Sequence, residues 1–200
     1  MYKQTSIQKK KLNYKFILLL IILIAIFIML FTTKKPKIFI NGDSVSTIEV
    51  NSAYTDPGAT AKYGSKDISK NIETNMNDFS TKKTGTYKIT YIVKQKKKVA
   101  TITRTINVVD SVSPELKLNG NSEINIAKDS NYQELGCIAT DNYDGDITTK
   151  ISIDKNIDTS KIGSYTVTYT VKDSSNNEAK ATRTVNVVEK GSKNISTEKS

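Results

Sequence analysis

The chain contains no histidine and no tryptophan, one cysteine and three prolines in 200 residues. Each shortage removes a kind of chemistry. Without histidine, imidazole-activated Ser–His and Cys–His nucleophiles cannot be built. A lone cysteine without histidine also excludes a Cys/His metal cluster. No glycine-rich phosphate cradle occurs. Carboxylate pairs could in principle hydrolyse glycosides, but the acids concentrate in one surface loop instead of facing across a cleft. The residues predict a chain that is not an enzyme. Cys137 has no partner for an intramolecular disulfide, so the fold must rest on apolar packing.

Acids are also missing from the first 37 residues, which carry eight lysines and therefore most of the net charge of +10. Residues 38–200 hold 22 basic and 20 acidic side chains, so the body of the chain has no polyanion footprint and no nucleic-acid partner is expected. After a basic segment (residues 1–15) comes an unbroken apolar run from Phe16 through Leu20, Ile24 and Phe27 to Phe31, extended by Thr32 and Thr33. As a helix, 18 residues span about 27 Å, close to a hydrocarbon core of about 30 Å. Residues 16–33 thus predict a transmembrane signal anchor whose partner is the lipid bilayer. A cleaved signal peptide is the rival reading, but the run is long and no small-x-small site follows it. Five lysines precede the run and three follow it, which biases the N-terminus to the cytoplasm and the remainder outside the cell.

The rest of the chain says the same thing twice. Residues 85–110 read GTYKITYIVKQKKKVATITRTINVVD, and residues 163–189 read GSYTVTYTVKDSSNNEAKATRTVNVVE. The period of just under eighty residues is too long for a solenoid unit of about 20–50 residues and suits a small domain. The hydrophobic period is 2. Tyr165, Val167, Tyr169 and Val171 fall on one face, as do Tyr87, Ile89, Tyr91 and Val93. Alternation of β-branched and aromatic residues marks half-buried strands. Each repeat ends in a hairpin whose polar turn is Asp173–Asn177 or Lys94–Lys98, and shorter runs at 123–127, 136–140 and 147–153 supply further strands. About seven short strands per repeat predict an all-β chain of two tandem immunoglobulin-like β-sandwiches, over residues 38–110 and 116–189. The linker Asp110–Glu115 contains Pro114, and residues 190–200 form a polar tail.

Three features invite a chemical reading. Asp141, Asp144 and Asp146 lie within six residues around Gly145, an arrangement that resembles an oxygen cage for Ca²⁺. The alternative is a loop whose acids cap backbone amides. The corresponding loop of the first repeat, Lys62–Asp67, carries lysines and keeps only Asp67, which matches Asp146, so calcium is not a requirement of the fold. Arg104 and Arg183 occupy matching positions in apolar registers, which is costly unless they are paired. Asp67 and Asp146, the acids common to both copies, are the expected partners. Cys137 aligns with Ala59, which predicts a small buried side chain, with a surface thiol as the alternative.

Tyr54-Thr-Asp-Pro-Gly-Ala59, Asp144-Gly-Asp-Ile-Thr148, Gly85-Thr-Tyr87, Gly163-Ser-Tyr165 and Ala181-Thr-Arg-Thr-Val185 together resemble the pattern of the bacterial surface Ig-like domain, a module also found in pesticidal crystal proteins. The resemblance covers about 150 residues and departs where repeat 2 has Glu134-Leu-Gly136 for Asp-Pro-Gly. Together with the anchor expected at residues 16–33, it implies a membrane-anchored surface protein displaying Ig-like modules for adhesion or wall-associated scaffolding, with a cell-wall polymer or protein as ligand. An anchor and stalk for a cell-wall enzyme, or a calcium-dependent adhesin, are the other readings. No organic cofactor is implied.

Overall fold

The structure, a computed structural model, describes residues 13–32 and 34–191, without the side chains of residues 30–32. Residues 1–12 of the basic segment, the side chain of Phe31, Thr33 and residues 192–200 of the tail lie outside that description. Helix α1 runs Tyr14–Thr32. Asn13 starts it: its carboxamide oxygen accepts the Lys15 amide at 3.2 Å, satisfying a donor that a helix N-terminus leaves open. The helix is apolar on every side, and Phe16, Leu20, Ile24 and Phe27 are all exposed. Among the described residues no helix is long and apolar enough to cross a membrane.

The chain divides into two compact units. One comprises residues 1–46, 55–79 and 87–106, and the other residues 47–54, 80–86 and 107–200. The two repeats fold alike. In the first, β1 (Pro36–Ile40), β3 (Ala59–Tyr63) and β4 (Lys66–Asp67) form one sheet, in the order β1-β3-β4. The facing sheet, in the order β2-β7-β6-β5, uses β2 (Val45–Glu49), β5 (Ile72–Asn75), β6 (Gly85–Gln95) and β7 (Lys98–Val109). The second repeat repeats the plan. Its small sheet, β11-β10-β8, contains β8 (Glu115–Leu118), β10 (Cys137–Asp141) and β11 (Gly145–Asp146). Its larger sheet, β12-β13-β14-β9, contains β9 (Glu123–Ala127), β12 (Ser152–Lys155), β13 (Gly163–Lys172) and β14 (Glu178–Val188). Strands β13 and β14 pair antiparallel from Gly163↔Val187 to Lys172↔Glu178, while β9 and β14 pair parallel.

The period-2 pattern places the core. Ile89, Tyr91 and Val93 on β6, with Ile106 and Val108 on β7, are buried, as are Val167, Tyr169, Val171, Val185 and Val187 in the second copy. Cys137 is buried and free, packed with Ile124, Val167, Tyr169 and Val185. Strand boundaries differ from the sequence reading at three places, the first being the β6–β7 turn, which is confined to Lys96 and Lys97 because β6 runs to Gln95 and β7 begins at Lys98. The run 147–153 is not one strand: Thr148–Lys150 form a 3-10 turn before β12 begins at Ser152. The turn arises because Asp146 Oδ1 accepts the Thr148 amide at 2.9 Å. Strand β10 starts at Cys137, not Gly136, because Gly136 has φ +71°, outside the extended region.

Candidate functional site

The two buried arginines are positioned by the last strand of each copy. Strand alternation carries Arg104 inward beside Ile106 and Val108, and Arg183 inward beside Val185 and Val187, and both arginines are fully enclosed. Arg104 Nε lies 3.1 Å from Asp56 Oδ1 and 3.2 Å from the Tyr91 hydroxyl. Its Nη2 donates to the carbonyls of Asn41 at 2.6 Å and Gly58 at 3.1 Å, and Nη1 donates to the Asp43 carbonyl. The Tyr91 hydroxyl donates to Asp56 at 2.6 Å. In the second copy Arg183 Nη2 donates to the carbonyls of Asn119 and Gly136. Glu134 there accepts the Tyr169 hydroxyl, the Tyr132 hydroxyl at 3.0 Å and the Gly136 amide at 2.8 Å. Burial pushes the Glu134 carboxyl up, but the three hydrogen bonds outweigh it and hold the group below its ordinary value.

The expected pairing of the arginines with Asp67 and Asp146 is therefore corrected. The acid beside Arg104 is Asp56, and Glu134 takes the matching place in the Glu-Leu-Gly turn. Asp67 and Asp146 instead cap the short turns after β4 and β11. Asp67 Oδ1 accepts the Ser69 amide at 2.8 Å, the counterpart of the Asp146–Thr148 bond. The Ser69 and Thr148 hydroxyls in turn accept the Ala61 and Ala139 amides, both at 3.0 Å. This is a framework device repeated in both copies.

The loop Asp141–Asp146 does not form the cage its spacing suggested. Asp144 accepts the amide and hydroxyl of Ser174, each at 2.6 Å, and an ion pair with Lys150 at 3.3 Å. Ser174, followed by Lys150, holds its carboxyl below the ordinary value. Asp146 is turned to its own cap. Asp141 differs: Oδ1 accepts the amides of Tyr143 and Asp144, both at 2.8 Å, whereas the buried Oδ2 has no hydrogen-bond partner.

Asp141 meets two acids that the sequence reading passed over. Asp110, from the linker, and Asp173, which follows β13, each bring a carboxylate oxygen into a group with Asp141 whose atoms all lie within 4.8 Å of one another. Asp173 Oδ1 caps the Ser175 and Asn177 amides, both at 2.8 Å, and its Oδ2 accepts Asn177 Nδ2 at 2.8 Å. Asn177 Nδ2 also reaches the Asp110 carbonyl at 3.2 Å, tying the linker to this turn. Asp110 is only 8% exposed, and neither of its carboxylate oxygens has a hydrogen-bond partner. Burial pushes its carboxyl up, and the charges of Asp141 and Asp173 add to the shift. The Ser175 hydroxyl and Val112 amide pull it back without reaching hydrogen-bond geometry. The only sequence signal was an acid at each end of long-separated segments, which no local pattern joins.

Comparison with known proteins adds the family. The family model described as "Bacterial surface protein, Ig-like domain" matches residues 38–108 and again residues 116–187. An uncharacterized 81.3 kDa protein of Acholeplasma phage L2 is 33% identical over 129 residues, which cover 60% of this chain and 17% of the phage protein. Among solved structures, a lipoprotein of Bacteroides thetaiotaomicron is 26% identical with a TM-score of 0.36, over 40% of this chain and 39% of its own. A structure of the CBM51-2 (in complex with GlcNAc) and INT domains of ZmpB from Clostridium perfringens is 31% identical with a TM-score of 0.33, over 39% of this chain and 17% of that one.

Proposed function

The chain belongs to the bacterial surface Ig-like domain family, in two tandem copies, and from that membership we propose that it is a single-pass membrane protein displaying both sandwiches outside the cell, for adhesion or wall-associated scaffolding and without catalysis. The observation that carries this reading is the combination of the two family matches with the apolar run of residues 16–33 ahead of them. The lysine bias across that run favours a cytoplasmic N-terminus. A β-sandwich suits the role, because it is a rigid body that leaves its loops free to carry contacts.

Cell fractionation tests the anchor. The full chain expressed in a bacterial host is expected to stay with membranes after alkaline carbonate extraction and to keep its N-terminus. Protease added outside should remove the Ig-like portion. Replacing Leu20 and Ile24 by Lys should abolish retention, since a lysine near the helix centre costs about 2.5–3.5 kcal/mol on insertion scales. Release of a shortened chain into the medium would point to a cleaved signal peptide and end the anchor reading. Binding of the displayed chain to purified wall polymer or to envelope protein would then separate adhesion from a spacer role.

A further inference from the structure

The second copy carries a group of carboxylates that its own fold does not require. Counting from the shared buried alanines, Ala61 and Ala139, Tyr63 stands in the first copy where the second has Asp141. Counting from the glycines that open β6 and β13, Gln95 stands where the second has Asp173. The first copy places Lys96 over the Tyr63 ring at 5.9 Å instead. The same sandwich therefore forms without these acids.

Three carboxylates held together repel one another, and burial strengthens that repulsion. Among the described residues, none of the three is joined to a lysine or arginine by an ion pair. Asp110 is more than nine-tenths buried with both oxygens unpartnered, and the unpartnered Oδ2 of Asp141 is enclosed as well. A buried carboxylate without a partner is expensive unless something supplies positive charge. The donors are all oxygen, with no sulfur or imidazole nitrogen, which selects a hard cation over zinc. Oxygens no more than 4.8 Å apart can share one ion at the 2.3–2.6 Å bond lengths of calcium.

We propose that Asp110, Asp141 and Asp173 bind one calcium ion, which fastens the linker to two loops of the second sandwich. Asp110 supplies one of its free oxygens, Asp141 its Oδ2, and Asp173 its Oδ2, which accepts only Asn177 Nδ2. Water completes the shell. Asp141 serves as a ligand, whereas Asp144 is committed to Ser174 and Lys150 and Asp146 to the Thr148 amide.

The test uses the full chain in detergent micelles, stripped with chelator and titrated with CaCl₂. One saturable binding event is expected, with a dissociation constant on the order of 10⁻⁴–10⁻³ M as in other extracellular modules. At about ten times that concentration the melting transition should rise by about 6–11 °C. Asp110→Asn and Asp173→Asn should each lose the binding heat and the shift. Both variants are expected to keep the fold, since Asp110 makes no side-chain hydrogen bond and an Asn oxygen at 173 can still cap the turn, giving up only the bond from Asn177 Nδ2; a native melting curve without calcium checks this. Asp146→Asn should bind as the parent does. Absence of heat and shift in the parent would overturn the proposal, as would unchanged binding in Asp110→Asn or lost binding in Asp146→Asn. An equal response to Mg²⁺ at the same concentration would overturn the assignment to calcium.

Discussion

Arg104→Ala is expected to unfold the first copy while the second still melts cooperatively. The guanidinium satisfies Asp56, the Tyr91 hydroxyl and three backbone carbonyls at once. Truncation takes the cation from the Asp56 carboxylate, which keeps the Tyr91 hydroxyl, strips a donor from those carbonyls and opens a cavity beside Ile106. Removing one partner of a buried ion pair costs about 3–5 kcal/mol, and a domain of this size has about 5 kcal/mol or little more to lose. Two-dimensional NMR of the chain should show the resonances of residues 38–108 collapse while those of 116–187 persist. Arg104→Lys should rescue little, because one ammonium cannot replace a planar fork that reaches several acceptors. Arg183→Ala should destabilise the second copy less, because Glu134 keeps hydrogen bonds from Tyr169, Tyr132 and the Gly136 amide. Equal losses in the two copies would show that carbonyl contacts, not the acid, set the cost.

The second large effect is alkaline. Burial, with the neighbouring Asp56 carboxylate, pushes the Tyr91 phenol from its ordinary 10 to about 12. Burial and Glu134 do the same for Tyr132, to about 12, and push Tyr169 up as well. A phenol with a raised folded-state pKa contributes stability that is complete below pH 10, because both states are then neutral at that group. Above pH 10 the unfolded chain gives up its protons first, so that stability is lost as pH rises towards 12. Melting temperature should therefore fall steeply over that window, in step with phenolate absorbance. Tyr91→Phe should flatten the fall for the first copy, at the expense of the hydroxyl's bonds to Asp56 and Arg104. A flat profile from pH 10 to 12 in the parent would contradict the burial of these hydroxyls.

Strands and copies were legible because β-sheets write their period into the sequence. Tyr–Val alternation in 165–171 and 87–93 reports the buried face directly, and the repeat checks each reading against the other. Pairing of polar groups was less legible. The partner of Arg104 is set by which turn folds over the end of β7, a matter of three-dimensional register, and the Asp-Pro-Gly turn that supplies Asp56 gave no sign of it. Asp67 and Asp146 looked like partners because both copies keep them, but an acid two residues before Ser or Thr is also an amide cap, and that local bond prevails. The Asp110–Asp141–Asp173 group was beyond sequence reasoning, since its members come from a linker and two loops separated by about 30 residues each.

The parallel pairing of β9 with β14 has a mechanical meaning for a chain held at one end and engaged at the other. The two strands are in register over five pairs, from Glu123↔Thr184 to Ala127↔Val188. Tension that reaches β9 through its N-terminal end and β14 through its C-terminal end pulls them past each other along their length. The ladder is then loaded in shear, all rungs together, and cannot open one rung at a time as a hairpin pulled from its ends would. Under that tension the second sandwich would bear load along its own strands.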